Sequence, residues 1–190
     1  MLSPLYTYLN NIFPLSEEII DNFDKNFEFI ELPKNEYLLR DGETCNYIYV
    51  IISGLVRMFY IKDGEEICSM FIEENAPFNA PDSYYSRKPG YTCLQTLTPT
   101  TVARIHYDRL QHMYERHPDL NYAGRVITER YFVKSEERLY LLRKQSAEER
   151  YQYFLENYPH LLQKVPLKFI ASYLGITNET LSRIRNKISR

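Results

Sequence analysis

Hydrophobic and polar positions follow two different periods along this chain, and the changes of period mark its organisation. Residues 1–24 read as one or two short helices. Pro14 interrupts them, Ser16 followed by Glu17 and Glu18 forms a helix start, and Ile19, Ile20 and Phe23 turn inward. From Phe27 to about His106 the rhythm shortens to runs of Ile, Tyr, Phe and Val punctuated by Asp41-Gly42, Ser53-Gly54 and Asp63-Gly64. Short strands with such punctuation predict an antiparallel sandwich or barrel. Tyr47-Ile48-Tyr49-Val50-Ile51-Ile52 is continuous enough for a central strand, and Leu55 to Ile61, Asp63-Gly64 and Glu66 to Phe71 form a hairpin. Residues 73–91 break the rhythm with Pro77, Pro81, Pro89 and Gly90, an irregular insert where a ligand site is expected. Strands resume at Thr92–Leu97 and Thr101–His106.

Beyond the strands the period returns to that of helices. Asp108 is placed to cap a short helix ending near His117. Pro118 opens a long one to about Lys144, roughly 40 Å at about 1.5 Å per residue. Val126, Val133 and Tyr140 recur every seven residues, with Ala123 and Ile127 beside the same seam. Such a stripe must be covered by a partner copy, as a two-helix seam in a homodimer, or by the chain's own β-domain; both can hold along different parts of its length. Ser146-Ala147-Glu148-Glu149 is a capping box for a helix over about 147–157, with Tyr151, Phe154 and Leu155 on its buried side. Leu167, Ile170, Ala171 and Leu174 then repeat at i, i+3, i+4 and i+7. Pro166 stands at the first helical position, Gly175 at the stop, and Thr177 caps a second helix with inner face Leu181, Ile184 and Ile188. Two short helices around a Gly-containing turn are the helix-turn-helix pattern.

Charge separates that pattern from two helices that merely cap a core. Residues 164–190 hold six Lys/Arg and one Asp/Glu, a local balance of +5, which leaves −7 for the rest of a chain whose net charge is −2. A basic end on an acidic body points to nucleic acid at that end. The outward side of the second helix carries Asn178, Glu179, Ser182, Arg183, Asn186 and Lys187, side chains able to read base edges or hold phosphates. The remaining composition is ordinary for a water-soluble protein, at 44% hydrophobic and 25% charged residues. No run of eighteen apolar residues occurs, and Met1 to Asn11 lacks a basic stretch followed by an apolar one, so neither a membrane span nor a secretory leader is expected. Cys45, Cys68 and Cys93 are too few and too scattered for a disulfide framework or a zinc site, and are expected as buried thiols in a reducing cytoplasm.

The order of these parts resembles the Crp/Fnr family of bacterial transcription regulators. The likeness is carried by Leu38-Leu39-Arg40-Asp41-Gly42-Glu43, by the run from Tyr47 through Ser53-Gly54-Leu55-Val56-Arg57, and by Asp63-Gly64-Glu65-Glu66. It ends with Ile170-Ala171-Ser172-Tyr173-Leu174-Gly175-Ile176-Thr177-Asn178-Glu179-Thr180-Leu181-Ser182-Arg183-Ile184, so nearly the whole chain is covered in order. The resemblance implies an α+β protein: an antiparallel jelly roll like a cyclic-nucleotide-binding domain over 1–117, a dimerisation helix over 118–144 and a helix-turn-helix DNA-binding domain over 145–190. It implies base contacts from Asn178, Glu179, Ser182 and Arg183, and phosphate contacts from Lys168, Thr177, Arg185 and Lys187. Glu179 and Arg183, four residues apart, face one groove and are expected to brace each other when unbound. A cytoplasmic homodimer on a pseudo-palindromic site is implied, with RNA polymerase as a partner for an activator. The 190 residues end just past the second helix, so no wing is expected within them.

Where relatives bind cyclic AMP, the resemblance calls for Gly-Glu and, about ten residues on, Arg-Ser-Ala. The corresponding stretches are Asn79-Ala80 and Tyr91-Thr92-Cys93, without the acid or the arginine. Losing a buried phosphate partner costs several kcal/mol, so Asn79, Ala80, Arg87, Lys88, Tyr91 and Thr92 mark a degenerate effector pocket. Arg87 and Lys88 are the nearby cations, cyclic AMP is not the expected effector, and no effector is named. No cofactor or metal is expected. An Fe–S sensor needs four cysteines, and His106, His112, His117 and His160 show no haem-ligand pattern, His112 and His117 being expected at the surface. Two other classes predict differently. A small-molecule sensor acting through a protein partner would not bind DNA, and the +5 end disfavours it. A cupin-type enzyme needs several histidines, and 27–106 holds only His106. The protein is not expected to be an enzyme.

Overall fold

The computed structural model describes residues 3–188. Helix α1 (Ser3–Asn10) precedes the break at Pro14, and α2 (Glu17–Asn26) starts where Ser16 accepts the Ile19 N–H, with Glu17 and Glu18 in its first turn. Of the residues expected inside, Ile19 and Phe23 are buried and Ile20 is half-buried.

Among the described residues eight strands follow in two four-stranded sheets: β1 (Glu28–Leu32), β2 (Tyr37–Leu39), β3 (Tyr47–Ser53), β4 (Val56–Lys62), β5 (Glu65–Ile72), β6 (Pro77–Phe78), β7 (Cys93–Thr96) and β8 (Thr100–His106). A four-residue helix α3 (Pro81–Tyr84) lies between β6 and β7. The spatial orders are β1-β8-β3-β6 and β2-β7-β4-β5. Strand β8 pairs antiparallel with both β1 and β3, Val102 standing opposite Ile30 on one side and Ile51 on the other. The unbroken apolar run in β3 follows from burial on both faces. Tyr49 and Ile51 are buried in alternation with Val50, and Val50 joins Ala103, Ile105, Leu110, Met113, Leu120 and the side chains of α1 and α2 in one core cluster. At the tight turn before β4, Gly54 holds φ +112°, and a Cβ there would come within 2.8 Å of the Pro99 carbonyl oxygen. Only glycine fits.

Helix α4 (Tyr107–Arg116) is capped by His106, whose Nδ1 accepts the Asp108 N–H, rather than by Asp108. The expected start was two residues late because an aromatic nitrogen took the capping role. His117, expected at the surface, has a side chain only 12% exposed, facing Glu18 at 3.8 Å. Helix α5 (Pro118–Lys144) is continuous. It is followed by α6 (Ala147–Asn157) with a complete Ser146/Glu149 capping box, then α7 (Leu161–Lys164), α8 (Leu167–Leu174) and α9 (Asn178–Ile188).

Packing separates the chain into two compact units, Met1–Met58 with Phe71–Arg130, and Phe59–Met70 with Tyr131–Arg190. This partition cuts α5 inside the 118–144 segment and groups the outer part of the β4–β5 hairpin with the C-terminal helices. In the first unit Ala123 is 2% exposed and Ile127 packs on the core cluster. These two members of the expected dimer seam are therefore covered by their own chain, because the first turns of α5 lie on the core that Leu120 enters. In the second unit Val133 and Tyr140 remain exposed at 54% and 61%, and Phe132 at 63%. The stripe thus has two fates along one helix.

Candidate nucleic-acid interface

The helix-turn-helix is built by local chemistry. Gly175 ends α8 at φ +64°, where the Gly175 and Ile176 N–H groups close on the carbonyls of Ser172 and Ala171. A Cβ at this position would also press on Leu142 at 3.2 Å. Thr177 accepts the Thr180 N–H at 3.2 Å and starts α9. Ile170, Ala171, Leu174, Leu181 and Ile184 are buried with Tyr151, Phe154 and Leu161 in the core of this unit. Two expected inner residues, Leu167 and Ile188, are 41% and 48% exposed, Leu167 being the first residue of α8 and Ile188 the last of α9.

The outward face of α9 brings together Asn178, Glu179, Ser182, Arg183, Asn186 and Lys187 around one open depression of about 820 Å³. All six are exposed. Hydrogen bonds from the Glu179 backbone N–H and the Thr177 hydroxyl hold the Glu179 carboxyl below its usual range, so it is an anion and an acceptor at neutral pH. Among the described residues no ion pair joins Glu179 to Arg183. The expected brace is absent because Glu179 turns back onto the helix start. Of the expected phosphate ligands, Thr177 spends its hydroxyl on the cap. Lys187 is held by Glu148 through both carboxylate oxygens, at 2.8 and 2.9 Å, and Lys168 lies over the Phe169 ring at 4.8 Å. Arg185 is exposed on the last turn.

A second set of contacts was missed from sequence. The Ser172 hydroxyl accepts the Cys68 N–H at 2.8 Å and donates to the Glu66 carbonyl at 2.9 Å, tying α8 to the edge strand β5. Beside it Arg138 lies over the Tyr173 ring at 3.7 Å, its guanidinium pKa lowered chiefly by burial. No local pattern announces a contact across 104 residues.

In the β-roll the expected pocket residues lie in or beside the strap around α3. Asn79, Ala80 and Thr92 are buried, Lys88 is exposed and Tyr91 is 62% exposed. Arg87, one of the two cations near the expected pocket, turns into the protein. It donates to the carbonyls of Cys45 and Tyr84 and to Asn46 Oδ1, and stacks on the Tyr107 ring at 3.9 Å. Its backbone takes a left-handed φ of +56°. Burial pushes the Cys45 thiol up, leaving little thiolate for redox chemistry. Among the described residues no group of three His, Cys, Asp or Glu is placed to hold a metal, and no helix is long and apolar enough to cross a membrane.

A β-roll, a long helix and a basic helix-turn-helix define a two-module regulator. Residues 29–117 match the cyclic nucleotide-binding domain family. The transcriptional activator protein FnrA of Stutzerimonas stutzeri is 28% identical over 169 residues, covering 80% of this chain and 67% of its own length. The fumarate and nitrate reduction regulatory protein of Yersinia pestis is 25% identical over 193 residues, covering 94% and 76%. The structure of FixK2 from Bradyrhizobium japonicum superposes with a TM-score of 0.73 at 21% identity, covering 86% of this chain and 84% of that one. Over most of its length the chain is therefore similar to transcription regulators of the Crp/Fnr type, with a cyclic nucleotide-binding domain match in its β-roll.

Proposed function

We propose that the protein is a cytoplasmic homodimer that binds a pseudo-palindromic DNA site, each protomer seating α9 in the major groove. The observation that carries this reading is the α9 face itself. Glu179 and Arg183 stand one turn apart on a helix whose other side is buried through Leu181 and Ile184, so the readers are presented on a rigid support. Arg183 offers two parallel donors to guanine O6 and N7, and the ionised Glu179 accepts from cytosine N4, each good pair giving about 1–3 kcal/mol of discrimination. Asn178 and Ser182 complete the base-facing set. Lys168, Arg185 and Lys187 supply phosphate contacts, Lys187 exchanging Glu148 for a phosphate on binding. Val133, Tyr140 and Phe132 form the seam with a second copy. Half-sites then lie one helical turn, about 34–36 Å, apart. An activator of this kind would meet RNA polymerase on the same DNA.

The test is selection from a randomised duplex pool near physiological salt, with Glu179→Ala/Arg183→Ala as control. Palindromic sites enriched by the wild type and lost in the double variant support the reading. Absence of salt-dependent DNA binding would overturn it in favour of a sensor that acts through a protein partner.

A further inference from the structure

The strap at 81–92 already contains an anion. Asp82 Oδ2 accepts two consecutive backbone N–H groups, from Tyr91 at 2.8 Å and from Thr92 at 3.2 Å. Successive amides converging on one oxygen form an oxyanion nest. Asp82 Oδ1 is buried and makes no hydrogen bond among the described residues. The approach is made possible by Gly90, where any Cβ would run into the Asp82 carboxylate and come within 2.8 Å of Ser83 Cβ. The strap is closed around this point: Gly42 N–H donates to the Gly90 carbonyl, Gly90 N–H to the Glu43 carbonyl, and Ser83 Oγ donates to the Lys88 carbonyl at 2.6 Å. Arg87, the cation that would compete for an anion, is committed to Cys45, Tyr84, Asn46 and Tyr107.

We infer that Tyr91 and Thr92 form a carboxylate-binding nest whose resident ligand is the protein's own Asp82, so that the strap is held closed by an internal anion and responds to no anionic effector. The charge sits on the chain at an effective concentration no free metabolite matches. An external carboxylate or phosphate would have to displace it and leave Asp82 desolvated without its two donors. Vacating the nest converts it into a site for a small carboxylate such as acetate.

This deepens the reading of the pocket as degenerate, and the experiment separates the two. Thermal melting of full-length wild type, Asp82→Ala and Asp82→Asn is followed in sodium chloride, sodium acetate and sodium phosphate at matched ionic strength, and with cyclic AMP. The expected result is a lower midpoint for D82A that acetate restores saturably and chloride does not, with no anion-specific response in wild type. Equal behaviour of D82A in acetate and chloride would overturn the nest while leaving the degenerate pocket standing. A saturable wild-type shift with cyclic AMP would overturn both. Should D82A fail to fold, D82N keeps an acceptor but removes the charge. Amide exchange at Tyr91 and Thr92 should then quicken by about tenfold, since a charged acceptor binds N–H roughly twice as strongly as a neutral one. Unchanged exchange at both amides would refute the inference.

Discussion

Replacing Ser172 with alanine tests how the helix-turn-helix unit is held together. The hydroxyl satisfies two backbone groups at once, the Cys68 N–H and the Glu66 carbonyl, on the side of β5 that faces away from its strand neighbour β4. Cys68 is only 2% exposed, so water does not replace the lost partner. Each intramolecular hydrogen bond contributes about 0.5–1.5 kcal/mol, and a buried donor left unsatisfied costs about 1–3 kcal/mol. Alanine's better helix propensity in α8 returns about 0.5 kcal/mol. The net expectation is a loss of about 1–2.5 kcal/mol, concentrated in the contact between hairpin and helix. Amide hydrogen exchange read residue by residue is the fitting assay, because the chain has two compact units and a single global midpoint would mix them. Protection of the Cys68 amide should fall by roughly tenfold or more, while amides in β3 and β8 keep theirs. Unaltered exchange at Cys68, or an equal loss throughout the first unit, would refute the local accounting.

Other outcomes follow from the same geometry. Arg183→Ala should weaken specific DNA binding by about 1–3 kcal/mol and relax selectivity at one base pair, whereas Lys187→Ala should weaken all sequences alike and lower the salt slope by about one; binding isotherms over a salt series distinguish them. Ser146→Ala removes half of the α6 capping box and should destabilise the second unit by about 1 kcal/mol in urea unfolding. The Glu149 carboxyl is held below its ordinary 4.5 by the Ser146 hydroxyl and N–H, so its contribution is present above that value and is lost as pH falls through the depressed folded-state value. An acid titration of the wild type should show this loss below about pH 4.5, and the S146A titration should show less of it. Val133→Glu places a charge in the exposed seam of α5 and should shift sedimentation toward the monomer; an unchanged dimer would move the interface elsewhere.

Much of the architecture is set within a few residues of chain and could be read there. The Ser146/Glu149 box, the Gly175 stop and the Thr177 cap each close hydrogen bonds over three or four positions, and Asp63 and Gly64 both take the left-handed φ of a tight hairpin turn, so residue type and spacing suffice. The outward face of α9 was legible for the same reason, since a period of 3.6 places Glu179, Arg183 and Asn186 together once the helix exists. Tertiary structure decided what covers what. An apolar stripe on α5 says that something must cover it, not which surface: Ala123 and Ile127 meet their own chain's core, while Val133 and Tyr140 do not. Polar side chains are harder still, because a hydrogen bond is a matter of ångströms and direction rather than of affinity for water. Arg87 and Asp82 both sit in the strap where a ligand was expected, and only their partners reveal that one anchors the backbone and the other fills a nest. Ser172 is unremarkable in the helix pattern; its partners lie 104 and 106 residues away, a distance over which chain-local physics carries no information.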